Sequence, residues 1–363
     1  MVWICPNCRK TWHYALGKCV YCKADLSQQD PGNLAVTGFT EVRVPSAEHP
    51  DVPYFVLLLE DEHGNRSLRK SFTAQKIGDI LSSDSRPAVR RTFGVAGTGS
   101  MATGVAFSAL SAGFDVVVRG RSKESLDKFR NGIAALAEKA MAGRKDELLS
   151  RLTLSTDHSS LARCEIVVEN VIENLQAKRD LFAELDAACP PSVVLASNTS
   201  SLLVSRLADG LAHPERVLGM HFFNPVHRMR LVEVIPTPKT SESAVELACA
   251  VAAEIGKEPI VVRDSPGFIV NRILFPMLNE AVLLLESGKA SAEDIDRAAM
   301  LGLNHPMGPL HLVDLIGVDV FVEIMDNLKE ETGDARFAAA GLARRMAKDG
   351  LLGRKAKQGF FKY

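Results

Sequence analysis

This chain of 363 residues is short of three things: net charge, long apolar runs, and cysteine beyond its first 22 positions. Lys and Arg together number 43 and Asp and Glu 44, a formal charge of −1. No general attraction therefore draws it toward nucleic acid or acidic membrane. No apolar stretch approaches the roughly 18 residues a membrane-spanning helix needs. Met1-Val2-Trp3 begins no secretory signal. A cytoplasmic setting is the expectation. The rest is 46% hydrophobic and 24% charged, a globular balance in a chain too long for one ordinary domain. Of seven cysteines, Cys164, Cys189 and Cys249 lie in apolar or helical contexts and read as buried inert thiols.

The other four form two pairs, Cys5-Pro-Asn-Cys8 and Cys19-Val-Tyr-Cys22, with ten residues between them. Each Cys-x-x-Cys is a knuckle aiming two thiolates at one point, and two knuckles complete a tetrahedral zinc site. Disulfides compete with that reading, and a cytoplasmic setting disfavours them. Four thiolates leave no open coordination position, so the expected zinc is structural. Thr37 to about Leu81 is β-patterned, with alternation over Gly38–Val44, a strand over Tyr54–Glu60, a turn at Asp61–Asn65, a return over Arg66–Phe72 and a closing strand at Lys76–Ile80. Several short strands in so few residues suggest a small barrel. Ser82 to Pro87 reads as a linker.

Beyond the linker, the strand Phe93–Ala96 runs into Gly97-Thr98-Gly99-Ser100-Met101-Ala102, and a helical run spans Val105–Gly113. The glycines allow a tight turn and close approach of backbone to a pyrophosphate, whose charge meets a helix N-terminus. Strand, loop, helix and second strand (Asp115–Val118) follow in the order this motif requires. The third glycine position holds Ala102. At the end of the second strand an NAD site usually carries an acid for the ribose hydroxyls. Here that position is Gly120, flanked by Arg119, Arg121, Ser122 and Lys123. Such groups would bind a 2′-phosphate, so NADP is favoured over NAD.

A third segment, Ser197–Ser201 followed by Gly219 to Pro236, carries His221, Asn224 and Glu233. A histidine moves protons dependably when a second group holds one ring nitrogen and leaves the other free. Glu233 lies in the apolar alternation Leu231–Ile235, so its carboxylate needs a partner. His221 is a plausible one.

Over about 91–363 the chain resembles the 3-hydroxyacyl-CoA dehydrogenase family. The match rests on Glu165–Lys178, Ala196–Ser201, His221-Phe-Phe-Asn-Pro225, Asp264–Arg272, His305–Leu310 and Gly353-Arg354-Lys355. It implies His221 as catalytic base, Glu233 as its orienting partner, and Ser200 with Asn271 near the reacting oxygen. It also implies cofactor contacts at Gly97, Gly99, Ser100, Met101, Glu173, Lys178, Asn224 and Lys355, and a homodimer through the helical region. Lys178 reads equally as a surface lysine, and Asn198 and Ser201 read as caps of a helix starting near Ser201. The region Asn131–Lys145 departs from the family where it contacts CoA. The head, through its Cys pairs, Thr37–Val42, Val52-Pro53-Tyr54 and Ile77-Gly78, resembles ribbon-plus-OB-fold proteins that accompany thiolases. It implies acyl-CoA binding or docking of a thiolase-like partner. OB-folds also bind single strands, but this one lacks a dense basic and aromatic stripe.

The expected architecture is α/β: a doubly wound Rossmann domain (87–265) and an all-helical C-terminal domain (266–363). A zinc ribbon (1–30) and an OB-like β-barrel (31–86) precede them. The expected activity is NADP- or NAD-dependent interconversion of 3-hydroxyacyl-CoA and 3-oxoacyl-CoA. The alternatives are a dehydrogenase of free 3-hydroxyacids and a non-catalytic scaffold that binds acyl-CoA and a thiolase.

Overall fold

The computed structural model describes residues 2–4, 11–12, 27–29, 33–42, 54–61, 66–71, 75–82, 91–141 and 143–363. They fall into two compact units, Met1–Val89 and Arg90–Tyr363.

In the first unit, β1 (Val2–Ile4), β2 (Thr11–Trp12) and β3 (Ser27–Gln29) form a small antiparallel sheet ordered β2-β1-β3. A second sheet is built from β4 (Asn33–Val42), β5 (Tyr54–Asp61), β6 (Arg66–Ser71) and β7 (Ile80–Ser82), ordered β6-β5-β4-β7. Its buried face is Leu34, Val36, Leu57 and Leu59. The register slips between Val36 and Gly38, a bulge in β4. The closing strand expected at Lys76–Ile80 begins only at Ile80, because Lys76–Asp79 is a turn held by the Lys76 amide donating to Asp79 Oδ2 (2.8 Å). Ser82, assigned to the linker, ends β7. The described strands make an open sheet, and Cys5, Cys8, Cys19 and Cys22 lie outside the described residues.

The second unit has one eight-stranded sheet. Its strands are β8 (Thr92–Ala96), β9 (Asp115–Arg119), β10 (Leu152–Ser155), β11 (Ile166–Glu169), β12 (Val194–Ser197), β13 (Val217–Phe222), β14 (Leu231–Pro236) and β15 (Glu258–Val261). They are ordered β10-β9-β8-β11-β12-β13-β14-β15, parallel throughout except for the antiparallel β13–β14 pair. The first six strands thus follow the doubly wound order, with a switch point between β8 and β11. The crossovers carry α1 (Ser100–Ser111), α2 (Lys123–Ala140), α3 (Lys145–Ser150), α4 (Leu175–Ala188), α5 (Val204–Ala208) and α6 (Glu242–Glu254). The inner strands read as apolar runs because both faces are covered, while β15 at the edge is largely exposed. Phe93, Val95, Val116 and Val118 join one core, while Ala96, Val117 and Val167 join the other.

After β15 come α7 (Val270–Glu286), α8 (Ala292–Gly302), α9 (Pro309–Ile316), α10 (Val318–Thr332) and α11 (Gly341–Lys348) around a third core. Gly288 follows α7 at φ 68°, the left-handed stop that glycine serves best. The chain end is tied down by the buried Asp314 carboxylate, which accepts the Phe360 and Phe361 amides, both at 2.9 Å. Among the described residues, no helix is long and apolar enough to cross a membrane.

Candidate active site

A cavity of about 790 Å³ opens at the carboxyl ends of β8, β9, β11 and β12, the place where open α/β sheets take ligands. Its floor at one end is the Gly97 loop. Gly97 sits at φ 123°, and a Cβ there would lie 2.5 Å from the Asn170 carbonyl oxygen, so only glycine makes this turn. Gly99 differs: a Cβ would meet nothing within 4 Å, so the missing side chain leaves a hollow open to a ligand. α1 starts at Ser100, five residues before the expected Val105, with no side-chain cap and no acid in its first turn. Its amide and dipole ends face the cavity unneutralised, which suits a pyrophosphate. Ser100 and Met101 line the cavity, whereas Ala102 is wholly buried behind it.

The basic turn lies at the same end. Arg119, Gly120 and Arg121 line the cavity. Arg119 Nε is buried with no hydrogen-bond partner, an orphan donor beside the hollow. A Cβ at Gly120 would come within 2.7–2.8 Å of Leu126 and Thr98 side-chain carbons, so this backbone has no room for the usual acid. Ser122 does not line the cavity; it caps α2, accepting the Ser125 amide at 3.3 Å.

At the other end, the β13–β14 ladder sets His221 directly opposite Glu233. Both are buried, and His221 Nδ1 lies 2.7 Å from Glu233 Oε2. With a carboxylate on Nδ1, that nitrogen holds the proton and Nε2 is left as the acceptor. Nε2 is 3.1 Å from the Ser200 hydroxyl, and Ser200 lines the cavity. The other Glu233 oxygen accepts the Ile269 and Val270 amides at 2.9 and 3.0 Å. α7 has no side-chain cap of its own, so Glu233 supplies one while holding the histidine. Burial pushes the Glu233 pKa up. The His221 bond and the two amides outweigh burial and hold it below the usual carboxylate range. Phe223 and Phe268 flank the imidazole at ring distances of 4.5 and 5.6 Å. Neither phenylalanine was expected to have a role at the site.

Asn271 reaches the same corner, but its amide donates to the Ser200 carbonyl at 2.9 Å. Glu173 lines the cavity and accepts the Ser200 and Ser201 amides (3.0 and 3.2 Å) and the Thr199 hydroxyl. Burial raises its pKa, but Lys178 and these donors lower it further, leaving it below the ordinary range. Lys178 is 1% exposed, so the surface-lysine reading fails. Its amine contacts Glu169 at 2.7 and 2.9 Å and Glu173 at 3.2 Å, bracing the wall from beneath. Asn198 and Ser201 cap no helix. α5 begins at Val204, and Asp264 takes its Val204 and Ser205 amides at 3.0 and 2.7 Å. Asn198 instead joins Asn170 (2.7 Å) and the Phe222 amide (2.8 Å). Like Lys178, two more expected contacts lie off the cavity wall: Asn224 is exposed on its loop, and Lys355 is paired with Asp319 at 2.6 Å.

The glycine loop and strand ends fit a dinucleotide, and His221 lies behind Ser200 rather than on the cavity wall. Residues 92–265 match the family described as 3-hydroxyacyl-CoA dehydrogenase, NAD binding domain, and residues 267–363 match its C-terminal domain. A probable 3-hydroxybutyryl-CoA dehydrogenase of Deinococcus radiodurans is 43% identical over 276 residues, 75% of this chain and 99% of that one. The 3-hydroxybutyryl-CoA dehydrogenase of Clostridioides difficile is 42% identical, covering 74% and 98%. A solved (S)-3-hydroxybutyryl-CoA dehydrogenase from Ralstonia eutropha superposes with TM-score 0.72 at 39% identity, covering 75% and 99%. With both domains matched in order behind an NAD-binding sheet, the chain belongs to the 3-hydroxyacyl-CoA dehydrogenase family, oxidoreductases acting on CH–OH groups.

Proposed function

We propose that this protein interconverts 3-hydroxyacyl-CoA and 3-oxoacyl-CoA, with His221 moving the hydroxyl proton. The observation that carries this is His221 itself, held at Nδ1 by a buried carboxylate while Nε2 points to Ser200. In oxidation, Nε2 removes the proton from the β-hydroxyl, and Glu233 stabilises the imidazolium that forms. In reduction the same imidazolium returns the proton to the β-oxygen. Ser200 orients that oxygen, while Asn271 and Glu173 fix the Ser200 backbone from two sides. A nicotinamide cofactor held at the Gly97 loop and the first turn of α1 would supply the hydride acceptor or donor. A carboxylate-held histidine supports this reading over a dehydrogenase of free 3-hydroxyacids, which would be expected to use a lysine base. His221→Ala should lower kcat with acetoacetyl-CoA about a thousandfold while cofactor Kd stays within about twofold. Near-normal turnover would discard the mechanism.

NADP is the favoured cofactor. The crowded Gly120 leaves no place for a ribose-binding acid, and Arg119 and Arg121 stand on the cavity wall. Following absorbance with NADPH and then NADH on the same protein tests this, and a preference for NADH would remove it. A homodimer is supported by the exposed apolar side chains Ile273, Leu301 and Leu303 in the helical domain. The two Cys-x-x-Cys pairs support structural zinc in a ribbon ahead of an OB-like domain. Capture of a thiolase-like partner is the role that fits such a head.

A further inference from the structure

The end of the cavity lined by Arg119 and Arg121 holds a charge cluster that the hydride chemistry does not use. Arg119 comes to it from the end of β9, and Glu184 from α4; both line the cavity. Between them stands His158, at the start of the helical turn His158–Arg163 that packs against β9 and α4. His158 Nε2 lies 3.0 Å from Glu184 Oε2, an ion-pair distance without hydrogen-bond geometry. The Glu184 side chain is 56% exposed toward the opening, while His158 is 19% exposed beneath it.

We propose that the His158–Glu184 pair sets the discrimination between NADP and NAD, with His158 governing whether the Glu184 charge opposes a 2′-phosphate. This deepens, and rests on, the reading of Arg119 and Arg121 as the phosphate-binding groups. A carboxylate on the wall of a phosphate site works against a dianion. An imidazolium beside that carboxylate cancels it and adds positive charge near Arg119; a neutral imidazole does neither. The groups acting on the ring are Arg119 from β9, Glu184 from α4 and Asp157 from its own turn. Burial, then Arg119, lower the His158 pKa, while Glu184 and Asp157 oppose them, and the net shift is downward. The ring is therefore charged only in acid, and at neutral pH Glu184 stands uncancelled. The pair thus moderates the preference for NADP that the arginines create, and the preference loses this support as pH rises.

The test is calorimetric binding of NADP+ and NAD+ to the full chain at pH 5 and pH 8, for the wild type, Glu184→Gln and His158→Gln. The readout is the ratio of the NAD+ to the NADP+ Kd. Glu184→Gln should raise that ratio about fivefold at pH 8, the worth of one nearby charge at intermediate dielectric. It should raise it less in acid, as His158 takes up its proton and cancels the carboxylate. His158→Gln should lower the ratio in acid and leave it within twofold at pH 8. The 2′-phosphate also titrates near pH 6, but equally in every variant, so wild type against variant isolates the pair. A ratio unmoved by Glu184→Gln, or raised equally at both pH values, overturns the inference. A wild-type ratio below one at both pH values overturns the NADP reading instead, and the Glu184→Gln comparison still decides the role of the pair.

Discussion

At the His221 end of the cavity each polar side chain is matched within the protein, whereas at the Gly97 end donors are left over. His221 has a partner on both ring nitrogens, Glu233 takes a ring and two amides, and Glu173 takes amides, hydroxyls and an amine. At the nucleotide end α1 starts without a cap, Arg119 Nε is orphaned, and Gly99 leaves a hollow. The difference follows from what each end must meet. A proton acceptor needs a fixed tautomer, and the protein alone can fix it. A pyrophosphate brings its own charge, so the site for it is built as an unmet demand.

The comparison breaks most sharply at Glu233. Glu233→Gln keeps the size of the side chain but removes the charge that holds Nδ1–H and favours the imidazolium. It should lower kcat about a hundredfold, with cofactor Kd within about twofold, since no part of the Gly97 end changes. The Gln oxygen can still accept the Ile269 and Val270 amides, but without the charge-assisted bonds the melting temperature should fall slightly. A Gln variant as active as the wild type would show that His221 needs no orienting carboxylate.

The glycines sharpen the same contrast at the other end. Gly99→Ala puts a methyl into open space at an ordinary φ of −75°, so folding should be unaffected. The methyl fills the hollow, and cofactor affinity should drop about tenfold, the worth of one or two charge-assisted amide contacts. Gly97→Ala should instead lower the melting temperature outright, since φ is positive and the Asn170 carbonyl is in the way. Equal melting temperatures for the two variants would refute the distinction between a steric glycine and a ligand-facing one.

Much of this site was legible as sequence because the β-ladder does the assembling. Alternation placed Glu233 in a buried strand, and the antiparallel register then brought it opposite His221. What was missed depends on where long side chains end. Lys178 was left open as a surface residue, yet Leu181, Phe182 and Leu185 lie three, four and seven places on, the inward stripe of α4. That spacing was a usable signal. The second role of Glu233 also has a trace: the residue before α7 is Ile269, not a Ser, Thr, Asp or Asn, so the first amides borrow an acceptor. Nothing comparable marks Asp264 as the cap for α5, sixty residues away in sequence. Asn271 donates to the Ser200 carbonyl, a destination that is a matter of three-dimensional reach. At the head, alternation gave the order of the strands but misjudged the start of β7, since a turn with an apolar residue, Ile77, imitates a strand.

The smallest expected effect is on stability in acid. The pKa of Glu173 is depressed in the folded protein, so the unfolded chain binds its proton more readily. Its contribution is therefore fully present above the unfolded value of about 4.3 and is lost as pH falls through the folded value. Glu173→Gln keeps an oxygen for the Ser200 and Ser201 amides but gives up the ion pair with Lys178. At pH 7 the wild type should melt about 2–4 °C above this variant, and between pH 5 and pH 3 the gap should narrow as the unfolded chain takes up its proton first. A gap that stays constant across that range would mean that the charge on Glu173 contributes nothing to stability. The matched end of the cavity would then rest on the shape and hydrogen bonds of that side chain rather than on its charge.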